Sequence, residues 1–138
     1  GRPGDCRRYG GVHNNQVLGK PHSEAEAGRM LRTLSGRLHM VYTGVTVCFQ
    51  GKTVTESEST SVRFRTLTDA DIIRYVATGE PMDKAGAYGI QGYGCVLVEG
   101  ISGDYYNVMG LPVCRLARLL AGFGVDVLAL AAEKEQTT

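Results

Sequence analysis

The run Gly79-Glu80-Pro81-Met82-Asp83-Lys84-Ala85-Gly86-Ala87-Tyr88-Gly89-Ile90-Gln91-Gly92 holds four glycines and a proline, a composition that neither a regular helix nor a regular strand tolerates. It is a shaped loop, and the elements on either side are read outward from it. Glycines permit positive φ and a close approach of backbone to a ligand. Asp83, Lys84, Tyr88 and Gln91 set a carboxylate, an ammonium, a phenol and an amide along the same few residues. Such a loop suits a small, polar, anionic ligand.

Before the loop, Thr68 with Asp71 three residues on forms a capping box, and Leu67 and Ile72 occupy hydrophobic-staple positions. Ile72, Ile73 and Val76 are the inward residues of that helix and Gly79 its stop. Further upstream, Ser23 and Glu26 form a second capping box. Ala27, Met30, Leu31 and Leu34 recur at helical spacing until Ser35-Gly36. Residues 40–49 read as a strand with Val41, Thr43, Val45, Val47 and Phe49 on one face. Gln50-Gly51-Lys52 turns the chain, and residues 61–65 alternate Val62 and Phe64 with Arg63 and Arg65, which predicts a hairpin. After the loop, residues 95–101 form an apolar strand and Gly103-Asp104 a turn. Pro112 then opens a last helix striped by Val113, Leu116, Leu119 and Leu120. The pattern is α/β, without repeats or a low-complexity linker.

Composition agrees with one globular domain. The 138 residues are 43% hydrophobic and 21% charged, enough to bury a core. No apolar run approaches the roughly 20 residues of a membrane span, and no secretory signal is visible. A net charge of +1 lacks the concentrated basic face of a nucleic-acid binder. Cys6, Cys48, Cys95 and Cys114 are scattered, with no Cys-x-x-Cys pair, and read as reduced thiols of a cytoplasmic protein.

Several runs share a resemblance. The loop is similar, through Asp83-Lys84-Ala85-Gly86-Ala87-Tyr88-Gly89-Ile90-Gln91-Gly92, to the signature of the Maf family of nucleoside triphosphate pyrophosphatases. Leu18-Gly19-Lys20-Pro21, Glu26-Ala27, Met30-Leu31, Leu34-Ser35-Gly36, His39 and Thr43-Gly44-Val45 follow that family's middle section in order and spacing. The run from Gly103 to Pro112 looks like its closing motif. The resemblance implies a Maf/inosine-triphosphatase-like mixed sheet with flanking helices. The activity implied is hydrolysis of dTTP and UTP to the nucleoside monophosphate and diphosphate with a divalent cation, Mg²⁺. The form of the loop is that of the dTTP/UTP branch rather than the branch acting on methylated guanine nucleotides.

Residue by residue, Lys20 sits in a rigid Gly-Lys-Pro corner. On its own it is a solvated loop lysine; in the family the matching lysine contacts the triphosphate, where a cation stabilises charge on a leaving pyrophosphate. Asp83 and Lys84 are either a turn ion pair of small worth or part of the pocket. Gln91 carries donors and an acceptor suited to a pyrimidine edge, and the family assigns base choice to it. Tyr88, Tyr93, Tyr105 and Tyr106 stack on a base or, more commonly for such positions, simply pack. His13 and His22 read as loop residues, His39 as a satisfied structural histidine, and Glu80 as an exposed carboxylate at a helix end. The metal's protein ligands are unassigned.

The departures fall at the beginning. The family's Ser-x-Ser-Pro-Arg-Arg loop has no counterpart, and its proton-acceptor aspartate falls by spacing on Arg8, with Tyr9 where a threonine belongs. Arginine accepts no proton at neutral pH, so no catalytic residue is assigned. Read one nucleotide later with suitable third bases, the codons of Arg7-Arg8-Tyr9-Gly10-Gly11-Val12 can encode the family's Ala-Asp-Thr-Val-Val, which suggests a shifted frame.

The expectation is therefore an N-terminally truncated α/β domain at 14–132, an atypical, frame-shifted segment at 1–13 and a disordered tail at 133–138. Lys20, Asp83, Lys84 and Gln91 bind dTTP, UTP or a modified pyrimidine nucleotide. The alternative is a catalytically inactive nucleotide-binding or regulatory remnant. Neither nucleic acid nor membrane is an expected partner, and the oligomeric state, homodimer included, stays open.

Overall fold

The computed structural model describes residues 5–13 and 16–136, with side chains from residue 19 onward. Five strands form one sheet in the order β2-β1-β3-β4-β5, where β1 is Asp5–His13, β2 Gln16–Leu18, β3 Leu38–Phe49, β4 Lys52–Phe64 and β5 Val98–Ser102. Every described pairing is antiparallel. Helices α1 (Glu24–Leu34), α2 (Asp69–Ala77), α3 (Tyr105–Met109), α4 (Val113–Gly122) and α5 (Val127–Gln136) flank it, so the α/β reading holds.

The β3–β4 hairpin is the spine. Its register runs unbroken from Leu38 opposite Arg63 to Phe49 opposite Lys52. The two-residue turn puts Gln50 at φ 51° and Gly51 at φ 77°, the left-handed pair whose twist matches the strands. β4 is longer than the Val62/Phe64 alternation predicts, because its first half is a polar, exposed Thr/Ser/Glu run held by main-chain pairing to β3.

Two helix starts follow the sequence. Thr68 and Asp71 exchange both capping bonds, Asp71 N–H to Thr68 Oγ1 at 3.1 Å and Thr68 N–H to Asp71 Oδ2 at 3.0 Å. At α1, Ser23 Oγ accepts from Glu26 N–H at 3.1 Å, but the return bond comes from His22 N–H rather than from Ser23. In α2 the inward residues are Ile72, Tyr75 and Val76; Ile73, expected inside, is 65% exposed. Positions 72, 75 and 76 share one helical face and 73 lies off it. Val113 is likewise exposed, leaving Leu119 as the buried residue of α4.

Two buried clusters result. The larger gathers Leu31 and Leu34 from α1, Val41, Val62 and Phe64 from the hairpin, and Ile72 and Val76 from α2, and it extends to Tyr88 and Ile90 of the loop. The smaller is Val45, Val47 and Leu119 at the far end of the hairpin. Helix α3 docks through Asn107, whose amide donates to Val41 O at 3.1 Å and Thr60 Oγ1 at 3.0 Å.

Two further expectations change. The apolar stretch after the loop is not a strand from residue 95: Tyr93–Leu97 is a 3₁₀ turn and pairing begins with Val98 opposite Phe64. The tail from residue 133 continues as helix through Gln136, in an Ala/Leu/Glu/Lys sequence of high helical propensity, with no buried residue. Within the segment set apart as 1–13, Asp5–His13 forms β1 between β2 and β3, with Arg8 opposite Thr43 and a shift in register between Arg8 and Gly11. Residues 1–4, 14, 15, 137 and 138 of those calls, and the side chains of Arg8 and His13, lie outside the described residues.

Candidate functional site

Helix α2 stops at Thr78, and Gly79 takes φ 79°. From there the chain makes two tight turns, Glu80–Asp83 and Ala85–Ala87, before a third turn leads into Tyr93–Leu97. Gly86 lies at φ 80° and Ala87 at φ 68°. A left-handed alanine is strained by about 1–2 kcal/mol, and Ala87 is held there fully buried. This backbone encloses a cleft of about 520 Å³ whose lining includes Glu80, Asp83, Lys84, Tyr88 and Gln91, with Met109 from α3.

Of the residues singled out from sequence, the structure brings Asp83, Lys84 and Gln91 to this one cleft. Asp83 and Gln91 are exposed and Lys84 is half-buried. Among the described residues Asp83 and Lys84 form no ion pair with each other. Lys20 is exposed and does not line the cleft. Its corner is tied to the loop by the main chain, Gly86 N–H donating to Gly19 O at 3.1 Å.

Tyr88 is a packing residue. It is buried, edge-on to Phe64 at 4.8 Å between centroids, with its hydroxyl 2.7 Å from His39 Nε2. His39 is itself buried, as a structural histidine should be. Tyr93, Tyr105 and Tyr106 are exposed and outside the cleft lining.

Glu80 departs most from expectation. Instead of an exposed carboxylate at a helix end, it is half-buried and accepts three hydrogen bonds. The donors are the Tyr75 hydroxyl, Tyr93 N–H at 2.8 Å and Gly94 N–H at 2.9 Å. The Tyr75 oxygen in turn accepts Gly89 N–H at 3.0 Å. Burial alone would raise the Glu80 carboxyl, but the Tyr75, Tyr93 and Gly94 donors and the nearby Lys84 charge outweigh it and hold the group below its ordinary range. Burial, with the bond to Glu80, pushes the Tyr75 phenol well above its usual value. The glycines leave the room this pair needs: a Cβ at Gly92 would stand 1.8 Å from Glu80 Oε1, and one at Gly94 would stand 2.4 Å from Gly89 O and 2.8 Å from the Tyr75 hydroxyl.

Among the described residues no three His, Cys, Asp or Glu side chains gather as a metal cage. Among the described residues nothing donates a hydrogen bond to the Asp83 carboxylate in the cleft, whereas the oxygens of Glu80 are occupied. Mg²⁺ is commonly held by one or two carboxylates together with substrate phosphates, and Asp83 fits that kind of site. No described helix is long and apolar enough to cross a membrane.

Comparison with known proteins agrees with the loop. The family described as Maf-like protein matches residues 11–123. A dTTP/UTP pyrophosphatase of Bacillus cereus (strain AH820) is 54% identical over 116 residues, covering 84% of this chain and 61% of that protein. The protein of the same name from Bacillus mycoides (strain KBAB4) is 55% identical over the same span, with the same coverage. The chain thus spans about three-fifths of the length of these curated relatives.

Proposed function

The chain belongs to the Maf-like protein family, and from that membership we propose that its loop cleft binds the triphosphate of a pyrimidine nucleotide, dTTP or UTP. The reaction of such a site is hydrolysis to the monophosphate and pyrophosphate. Lys84 and Lys20 meet the phosphates, Gln91 reads the base edge, and Asp83 helps hold a divalent cation that neutralises phosphate charge. The observation that carries the reading is the meeting of Asp83, Lys84 and Gln91 in one cleft, with the Lys20 corner bonded to the same loop. The names of the relatives support the choice of nucleotide.

A second reading is favoured by Arg8. At the position where the family resemblance puts the proton acceptor stands a residue that accepts none, so the chain binds nucleotide with little turnover. Loss of general-base help lowers a rate by about 10² to 10⁴. Calorimetric titration with UTP in Mg²⁺, beside an assay for released pyrophosphate, tests both. Binding that Lys84→Ala weakens is the expected result under both readings. Turnover at an ordinary enzymatic rate removes the second reading, binding without turnover removes the first, and absence of binding removes both.

A further inference from the structure

We propose that Glu80, acting through Tyr75, is a positioning residue for this cleft, fixing the spacing between Lys84 and Gln91; the proposal rests on the nucleotide reading given above. Among the described residues the loop pairs with no strand. Between residues 84 and 95 its main-chain bonds are short-range, Ala87 to Lys84, Gly92 to Gly89 and Cys95 to Gly92, apart from Gly86 to Gly19. What takes the place of a ladder is one phenol and one carboxylate. Glu80 stands at the start of the loop and Tyr93 and Gly94 at its end, and both ends meet in the same carboxylate. Gly89, midway, is pinned to the Tyr75 hydroxyl that Glu80 also binds. Lys84 lies between the first and second of these points and Gln91 between the second and third. Each binding residue is therefore bracketed by fixed backbone, the arrangement that holds a site to its productive geometry.

Side-chain packing adds to this. A Cβ at Gly89 would lie 3.2 Å from Lys84 Cε and 3.4 Å from Glu80 Cδ, so the lysine stem and the Glu80 carboxylate pass the same glycine. The carboxylate is nonetheless satisfied by its three donors and makes no ion pair with Lys84 among the described residues. Its charge steers the ammonium without consuming it, leaving Lys84 for an anionic ligand. Every member of the clamp is reached through tertiary contact between α2 and the loop, which is why no local motif announces it.

The test uses the full chain and two variants, Glu80→Gln and Tyr75→Phe, the second deleting a single oxygen so that the fold is spared. Three quantities are measured: the thermal melt, UTP and CTP affinity by calorimetry in Mg²⁺, and amide hydrogen exchange at residues 84–94. The expected result is a cooperative melt in both variants and faster exchange confined to the loop. UTP affinity should fall by about tenfold to a hundredfold, the scale of one lost hydrogen bond to a charged group, with a narrowed preference for UTP over CTP. Unchanged affinity and preference in both variants overturns the proposal. So does an equal loss for UTP and CTP that tracks a lowered melt, since that is a purely structural role. Should the unaltered chain bind neither nucleotide, the nucleotide reading fails by itself. The exchange arm then decides the clamp, loop-confined acceleration supporting it and unaltered exchange overturning it.

Discussion

Among the described residues, the β3–β4 hairpin at its Leu38/Phe64 end feeds a cluster of fifteen buried residues shared with α1, α2, α3 and the loop, whereas at its Gln50–Gly51 end the buried cluster is Val45, Val47 and Leu119 under α4. The charges differ in the same way. At the loop end, the Glu80 carboxylate is met by two backbone N–H groups and a phenol. At the far end, Arg115 of α4 bridges Glu56 at 2.5 Å and Glu58 at 2.6 Å, between side chains that keep 21 to 43% of their surface in solvent. Wet ion pairs of this kind are usually worth below about 1 kcal/mol. Among the described side chains, one continuous pair of strands thus supports a dense end that shapes a cleft and a sparser end under α4. What is packed on the strands, rather than the strands themselves, sets the difference.

The largest effect should come from truncating the two cores in parallel. Phe64 is fully buried and lies edge-on to both Tyr88 and His39. Phe64→Ala should cost about 3–5 kcal/mol, and Leu119→Ala about 2, the low end of its class, because its partners Leu116, Leu120 and Phe123 are only partly buried. Urea denaturation of both variants measures this. Equal losses would mean that the far cluster is as much a core as the near one.

How much of this was legible in the sequence follows from reach along the chain. Helix α2 and its capping box, the hairpin turn, and the joint placing of Asp83, Lys84 and Gln91 were readable because each rests on residues within a few positions of one another. Tyr75 with Glu80 was not, since the bonds that define the pair come from Gly89, Tyr93 and Gly94. The late start of β5 lies beside the same pair: Cys95 N–H donates back to Gly92 O and the chain stays in a 3₁₀ turn through Leu97. Ile73 is the more apolar side chain, but helical phase puts Tyr75 on the buried face with Ile72 and Val76 and leaves Ile73 outside. The tie between the Lys20 corner and the loop is a main-chain bond from Gly86 to Gly19, which no side-chain pattern encodes.

A smaller effect should separate two glycines outside the hairpin. A Cβ at Gly94 meets Gly89 O at 2.4 Å, while one at Gly100 in β5 meets nothing within 4 Å. Gly94→Ala should destabilise by about 1–3 kcal/mol, as overpacking does, and should weaken UTP binding by displacing the clamp. Gly100→Ala should leave both unchanged to within about 0.5 kcal/mol. Denaturation and titration of the pair check this. A neutral Gly94→Ala would show that the loop end is softer than its contacts imply.

The smallest effect is in pH, and it again belongs to the loop end. Asp71, held by Thr68 N–H and then by the Arg65 guanidinium, lies at about 2 instead of 3.8. Glu80 lies below its ordinary 4.5, burial being outweighed by its donors. Both carboxyls are depressed in the folded chain, so the unfolded chain takes up protons first as pH falls, and stability drops with it. The contribution is complete above the unfolded values, near pH 5. It declines through 4.5 and 3.8 and, for Asp71, is gone below about 2. The melting temperature of the unaltered chain should fall across this window. Asp71→Asn with Glu80→Gln should melt lower at pH 6 but with a shallower fall, because two groups with different proton affinity in the two states have been removed. Leu119→Ala, which alters no proton uptake, should melt lower by a similar amount at every pH. If the carboxyl variants keep the full slope, the acid sensitivity resides elsewhere, and the charge at the loop end is no better organised than the Arg115 pair at the other.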